Sequence, residues 1–196
     1  MTEINAKLVN DLRQRTGAGM MECKKALVEA GGNVDDAIVI LKKKGVANAA
    51  KKAGRDASEG IIQSYIHPGG RVGVLLELNC ETDFVAKNET FQKLAKDICM
   101  HIAAMSPLYI SPEEIPSEIE DKERSIAMDQ CAGKPEKAIE KIVAGKLAKW
   151  HSEVCLLNQP FVKEQEHSVG EYIAQAVANI GENIKIGRFV RYQLGQ

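Results

Sequence analysis

Two runs rich in β-branched and other apolar residues, GIIQSYI and RVGVLLELN, flank the tetrapeptide HPGG at residues 67–70. Such residues favour strands, and Pro followed by Gly favours a tight reversal of the chain, so the pattern predicts a β-hairpin. Residues 89–104 then carry apolar side chains at helical spacing, which predicts a helix that covers the hairpin and stops before Pro107. The sequence therefore predicts an α+β fold with a small antiparallel sheet, which the alternating residues 184–194 can complete.

The N-terminal residues 1–45 show the pattern of three short helices. Apolar residues recur at helical spacing from residue 4 to 12, and a second helix is expected before the glycine pair at 31–32. Asn33 is expected to cap a third helix, and Gly45 is expected to end it. The predicted domains are residues 1–45 (three helices), 46–59 (helical linker), 60–116 (hairpin plus helix), 117–151 (helical arm) and 152–196 (final helix and strand).

The predicted arm consists of two helices with narrow apolar stripes. SEIE at residues 117–120 matches a capping box, and GKP at residues 133–135 predicts the turn between the helices. Ile119, Ile126 and Ala127 form the stripe of the first helix. Narrow facing stripes with charged backs predict an antiparallel coiled-coil arm that protrudes from the body.

The composition excludes several classes of function. A formal net charge of -1 gives no general attraction to nucleic acid, and no segment is apolar enough for a signal peptide or a membrane span, so a cytoplasmic protein is expected. Five widely spaced cysteines suit free thiols in a reducing compartment. The four histidines have no metal-ligand spacing and no Walker loop is present, so neither a metal nor a cofactor is predicted.

The segment NCETDFVAK, which follows the second strand of the predicted hairpin, carries the candidate chemistry. Cys80 could act as a nucleophile, although no nearby His or Lys would lower the pKa of its thiol. Glu81 and Asp83 could form an acid/base pair, but a solvated acidic loop is the commoner arrangement. Phe84 could be either a core plug between hairpin and helix or an exposed probe for a partner. Residues alone leave these alternatives open.

Two further features allow a functional and a structural interpretation. The basic cluster KKAGR at residues 51–55 could contact phosphates, but no aromatic residue lies among its charges, so a solvated linker face is favoured. Trp150 could be an interface anchor or a packed core residue.

Three ordered motifs resemble one family over nearly the whole chain. LRQRTGAGMMECKKAL, NCETDFVAKNETF and GKPEKAIEKIVAGKLAKWHSEVCLLNQPFV together are similar to bacterial translation elongation factor Ts. The resemblance implies a guanine-nucleotide exchange factor for the GTPase elongation factor Tu, with an N-terminal three-helix module like a ubiquitin-associated domain. It also implies that Thr82, Asp83, Phe84 and Val85 enter the nucleotide domain of Tu and displace its magnesium ion, without covalent chemistry.

The same resemblance implies a second contact and an oligomeric state. Met20, Met21, Lys24 and Lys25 are expected to grip another helix of Tu, with core packing of Met20 and solvation of the lysines as the alternative. Longer members of the family contain two copies of the hairpin-plus-helix unit, whereas this chain has one, so a homodimer through the C-terminal sheet is expected. A non-catalytic binding scaffold is the alternative function.

Overall fold

The computed structural model describes residues 4–131 and 135–196 and has the predicted α+β fold. The helices are α1 (Ala6–Thr16), α2 (Met20–Glu29), α3 (Val34–Lys52), α4 (Asp83–Ala86), α5 (Glu89–Met105), α6 (Ser117–Asp129), α7 (Glu136–Val154) and α8 (Val169–Ile180). The strands are β1 (Glu59–Ile66), β2 (Val72–Cys80), β3 (Pro160–Phe161), β4 (Glu164–Ser168) and β5 (Ile184–Gln193). Short 3-10 turns lie at Pro112–Glu114 and Leu156–Asn158.

The predicted hairpin forms two strands of a three-stranded antiparallel sheet with the order β1-β2-β5. At its turn the His67 amide donates to the Val72 carbonyl over 2.9 Å, and the Gly70 amide donates to the His67 carbonyl over 2.9 Å. Gly69 and Gly70 both have positive φ, which explains the glycine pair. The C-terminal strand completes the sheet as predicted. A second ribbon, β3 with β4, was not predicted because the sequence EQEHS of β4 lacks strand-forming residues.

The chain divides into two compact units. The first comprises the chain up to Ile62 together with Glu77–Ala95 and Glu171–Gly187. The second comprises Gln63–Leu76, Lys96–Gly170 and Arg188–Gln196. The division falls within β1, β2 and β5, and the predicted domain boundaries stay a prediction.

In the first unit, the three N-terminal helices pack around their own buried cluster. This cluster consists of Val9, Leu12, Cys23, Ala26, Leu27 and Ala37. The predicted cap of α3 is confirmed, since the Asn33 side chain accepts from the amides of Asp35 at 3.0 Å and Asp36 at 3.3 Å. The likeness of this module to ubiquitin-associated domains stays an expectation.

The prediction that Gly45 ends the third helix is wrong. Helix α3 continues without interruption to Lys52, because the residues after Gly45 are mostly helix-forming Ala and Lys. Gly45 is buried, and a β-carbon at this position would lie 3.7 Å from the β-carbon of Ala178 in α8. That distance is an ordinary van der Waals contact, so Gly45 lies within the packed face of α3 beside α8 and does not mark a helix end.

Helix α5 covers the hairpin as predicted. Phe91, Leu94, Ala95, Ile98 and Ile102 are all buried on its inner face. The Cys99 thiol also lies 3.6 Å from the Gln63 carbonyl of β1. Met105, the last residue of the helix, is 43% exposed.

Helices α6 and α7 pair in the second unit. Ala127, Cys131, Val143 and Leu147 are buried between them, with Ile139, Ile142 and Trp150 packed against this cluster. Glu120 contacts His151 and Gln130 contacts Lys146, so the two helices run antiparallel.

The helical arm differs from its predicted pattern at the ends of its first helix. Ile119 and Ile126 are 42% and 41% exposed, so they add little to the packed stripe. The predicted capping box does not form, because Ser117 is already the first residue of α6 and Pro116 occupies the cap position. Gly133 and Lys134 of the predicted turn lie outside the described residues, and the coiled-coil assignment stays a prediction.

Candidate functional site

Strand β2 ends at Cys80, and a single helical turn, α4, begins three residues later. Thr82 has extended backbone angles and caps this turn, since its hydroxyl oxygen accepts from the Val85 amide at 3.4 Å. Asp83 occupies the first turn, where a carboxylate complements the free amides. The sequence Thr-Asp after a strand thus explains why the chain turns here. We call Thr82–Val85 the tip segment.

The tip segment holds its aromatic side chain in solvent. Phe84 is 81% exposed, Asp83 is exposed, and the neighbouring Ala86 is buried at 6%. The alternative of a core plug is therefore wrong, and a role for Phe84 in binding a partner remains a prediction. A large aromatic side chain left in water is informative because removing its apolar surface from water would be favourable.

Thr82 is held by several hydrogen bonds, whereas the Phe84 side chain lies in solvent. Its amide donates to Glu182 Oε2 at 3.0 Å and its hydroxyl donates to Glu182 Oε1 at 2.7 Å. The Cys80 thiol donates to its carbonyl at 3.2 Å. The tip segment therefore starts from an anchored residue. Sequence reasoning missed Glu182, which lies 100 residues away and carries no local signal.

The two acidic residues of this loop do not form an acid/base pair. The Glu81 carboxylate accepts the amide of Asn183 at 2.6 Å and approaches the Arg55 guanidinium at 3.4 Å. Asp83 instead forms an exposed ion pair with Lys87 at 2.6 Å. The hydrogen bond from Lys87 lowers the pKa of Asp83, which is opposite to what a general acid at neutral pH requires.

Cys80 has the environment of an inert thiol. Its side chain is fully buried, and burial together with the negative charge of Glu182 raises the pKa of the thiol. A nucleophilic cysteine needs a lowered pKa and access to substrate. Both observations argue against the thiol-enzyme alternative.

The second candidate surface lies on α2. Met20 and Met21 are 44% and 64% exposed, and both Lys24 and Lys25 are exposed. Core packing of Met20 is therefore wrong as an alternative. Val28, which the sequence analysis did not select, is 60% exposed and lines a shallow cleft with Met21, Lys24 and Lys25. We call Met20, Met21, Lys24, Lys25 and Val28 the α2 surface; its role stays a prediction.

The remaining candidates have mainly structural contacts. In the basic cluster, Lys52 donates to the Gly181 carbonyl at 2.6 Å and Arg55 approaches Glu81 as described. Trp150 is half-buried against the cluster between α6 and α7. Within residues 4–131 and 135–196, no group of three His, Cys, Asp or Glu side chains could hold a metal ion. Over the same residues, no helix is long and apolar enough to cross a membrane.

Comparison with known proteins identifies the family. The family model described as "Elongation factor TS" matches residues 3–196. Elongation factor Ts of Thermodesulfovibrio yellowstonii is 58% identical over 98% of this chain and 97% of its own length. The protein of the same name from Koribacter versatilis is 56% identical over 98% and 89%, and that of Fervidobacterium nodosum is 54% identical over 99% and 100%. A family match over almost every residue shows that the chain belongs to the elongation factor Ts family.

Proposed function

We propose that this protein is a guanine-nucleotide exchange factor for elongation factor Tu in protein synthesis. It binds Tu with GDP, displaces magnesium through Thr82, Asp83, Phe84 and Val85, and promotes release of GDP. The observation that carries the proposal is the exposed Phe84 on a turn whose first residue, Thr82, is fixed by hydrogen bonds. Family membership supports a role in translation elongation.

The tip segment has the properties that a wedge needs. Burying a Phe side chain in a partner gives about 1.5–3 kcal/mol, and an aromatic anchor of this kind often dominates an interface. Since Phe84 is already exposed, little of that free energy is spent on extracting it from a core. Because the anchored backbone limits its motion, less entropy is lost when the wedge binds.

Magnesium is the vulnerable part of a GTPase nucleotide site. The ion bridges the phosphates and the protein, so moving the elements that shape its site weakens nucleotide binding. Phe84 inserts between helices of the nucleotide domain of Tu. The carboxylate of Asp83 competes for cationic groups and hydrogen-bond donors that surround the magnesium ion of Tu. No bond is made or broken by this chain.

The α2 surface provides a second contact with the nucleotide domain of Tu. Exposed Met side chains adapt to an apolar partner, and the neighbouring lysines favour an acidic rim. Exchange also obeys linkage: the factor must bind nucleotide-free Tu more tightly than Tu with GDP, and nucleotide must expel the factor to the same extent.

The test is release of a fluorescent GDP analogue from Tu. The protein is expected to accelerate release, and Phe84→Ala is expected to abolish most of the acceleration. Leu108→Ala is the matched control, because Leu108 is another large apolar residue, 69% exposed, outside both proposed surfaces. No acceleration by the unaltered protein would refute the exchange function, and binding without acceleration would favour the scaffold. Equal loss in both variants would refute the specific role of Phe84.

We also propose that the protein acts in the cytoplasm as a homodimer that pairs through its C-terminal sheet, without nucleic acid or membrane contacts. Every second residue of a strand points to the same face of a sheet. In the second unit, such residues of β1, β2 and β5 include three exposed apolar side chains, Ile66 (66% exposed), Leu75 (46%) and Tyr192 (71%). Such an apolar face favours a protein partner over water. Light scattering at micromolar concentration is expected to give twice the chain mass, and Tyr192→Lys to give the monomer. A monomeric unaltered protein would refute the dimer.

A further inference from the structure

The segment between α8 and β5 carries a carboxylate whose contacts converge on the base of the tip segment. Glu182 is partly buried, and its Oε2 atom accepts from the amides of Glu81 at 3.1 Å and Thr82 at 3.0 Å. Its Oε1 atom accepts from the Thr82 hydroxyl at 2.7 Å. One side chain thus satisfies three donors of two consecutive residues, and hydrogen bonds to a charged acceptor are stronger than neutral ones.

The hydrogen bond from the Thr82 hydroxyl to Glu182 also determines how this hydroxyl caps helix α4. A hydroxyl has one proton, and here the proton is donated to Glu182. A lone pair of the same oxygen is therefore left to accept from the Val85 amide, which closes the single helical turn that bears Phe84. Glu182 thereby orients the cap of the tip segment without touching Phe84.

Asn183 connects the base of the tip segment to the residues that follow α3. The Asn183 amide donates to Glu81 Oε1 at 2.6 Å, so residues 81–82 and 182–183 each accept the other's backbone amides. The Asn183 side chain donates to the carbonyls of Arg55 at 2.9 Å and Ala53 at 3.4 Å. The base of the tip segment is thus fixed relative to the end of α3, the helix that follows the α2 surface in the chain.

We propose that Glu182 is a positioning residue for nucleotide exchange, which rests on the exchange function proposed above. Its carboxylate holds the backbone at Glu81 and Thr82, so that Phe84 is presented in one orientation before the partner binds. Without the Glu182 carboxylate, Phe84 is still exposed, but the loop that carries it adopts several orientations. Ordering that loop on binding costs free energy, which is then not available for displacing magnesium.

A double-mutant cycle distinguishes positioning from a general loss of stability. Glu182→Ala is expected to lower the acceleration of GDP release about tenfold, the scale set by losing charge-assisted hydrogen bonds. In the Phe84→Ala background the same change is expected to have almost no further effect, because Glu182 acts through Phe84. Equal losses in both backgrounds would overturn the proposal, as would full activity of Glu182→Ala.

Further variants keep the test decisive if Glu182→Ala does not fold. Glu182→Gln retains the shape but loses the charge, and it is expected to give an intermediate loss of acceleration. Amide hydrogen exchange of Thr82 and Val85 is expected to become faster in this variant, while that of Leu76 in β2 is unchanged. Glu166→Gln, an exposed site on β4, is the matched control with the same chemical change.

The outcomes separate this proposal from the exchange function itself. If the unaltered protein fails to accelerate release, the proposed function fails. If it accelerates release, and Phe84→Ala is inactive while Glu182→Gln has unchanged activity and unchanged exchange at Thr82, only the positioning role fails.

Discussion

The base of the tip segment and the His101–Gln159 pair are both held by hydrogen bonds between side chains and backbone, but they hold very different surfaces. His101 Nδ1 accepts from the Val162 amide at 3.2 Å, so the proton lies on Nε2, which donates to Gln159 Oε1 at 2.9 Å. Gln159 in turn donates to the Glu153 carbonyl at 2.7 Å. His101 and Gln159 are buried, with exposed fractions of 0% and 1%.

The hydrogen bonds around His101 and those around Thr82 serve different purposes. His101 and Gln159 are both buried, with His101 beside Phe161, so their hydrogen bonds support a core and losing them leaves buried polar groups without partners. Around Thr82 the bonds hold a backbone from which Phe84 extends into solvent. We therefore expect substitutions around His101 to lower stability and substitutions in the tip segment to weaken partner binding.

The largest expected difference in stability is between two phenylalanines. Phe161→Ala removes a side chain that is 1% exposed, so it is expected to lower the free energy of unfolding by about 3–5 kcal/mol. Phe84→Ala is expected to change it by less than about 0.5 kcal/mol, as is usual for surface substitutions. Urea unfolding followed by circular dichroism measures both. Similar losses for the two variants would contradict the assignment of Phe84 to the surface.

Removing the buried histidine is expected to have the next largest effect. His101→Leu leaves Gln159 Oε1 and the Val162 amide without their partners, so the free energy of unfolding is expected to fall by about 2 kcal/mol or more. The same urea titration measures this change. Acceleration of GDP release at a temperature where the variant is folded should be unchanged, and a selective loss of acceleration would show that the two regions are coupled.

The stability that His101 contributes is expected to depend on pH. Burial lowers the pKa of His101 below its ordinary value of 6.5, and its hydrogen bond to Gln159 offsets this only partly. The unfolded chain therefore binds this proton at a higher pH than the folded chain does. The stabilisation is complete above pH 6.5 and falls as the pH drops towards the lower folded value, by at most about 1.4 kcal/mol per pH unit.

The matched control for the titration is His101→Leu. Subtracting its free energy of unfolding from that of the unaltered protein at each pH removes the contribution of the other three histidines. The difference is expected to shrink as the pH falls below 6.5. A difference that does not change with pH would contradict a neutral buried His101.

The smallest expected effect is at the exposed ion pair of the tip segment. Lys87→Ala removes the hydrogen bond that lowers the pKa of Asp83, so that pKa is expected to rise towards its ordinary value. The thermal midpoint is expected to stay unchanged, because both side chains are exposed and solvent screens their attraction. A carbon-detected NMR titration of Asp83 measures the first effect. An unchanged pKa would mean that the pair does not persist in solution.

Several elements were predictable because their signals are local. The Pro-Gly turn between β-branched runs predicted β1 and β2, and helical spacing predicted the inner face of α5. Asn33 before two acidic residues predicted the start of α3. In each case neighbouring residues set the backbone preference. Gly45 was predicted wrongly because a glycine near lysines is typical of a helix end, whereas here it is buried inside α3 beside Ala178 of a distant helix.

The main helices, the hairpin and the last strand, the family resemblance and the position of the tip segment could all be read from the amino-acid sequence, but the β3–β4 ribbon could not. The exposure of Phe84, the burial of Cys80 and the bonds from Thr82 to Glu182 became visible only in the folded chain. The physical reason is range: backbone propensity depends on a few adjacent residues, whereas exposure and hydrogen-bond partners depend on which distant segments fill the same space. In this protein, the fixed end of the tip segment depends on residues 100 positions away.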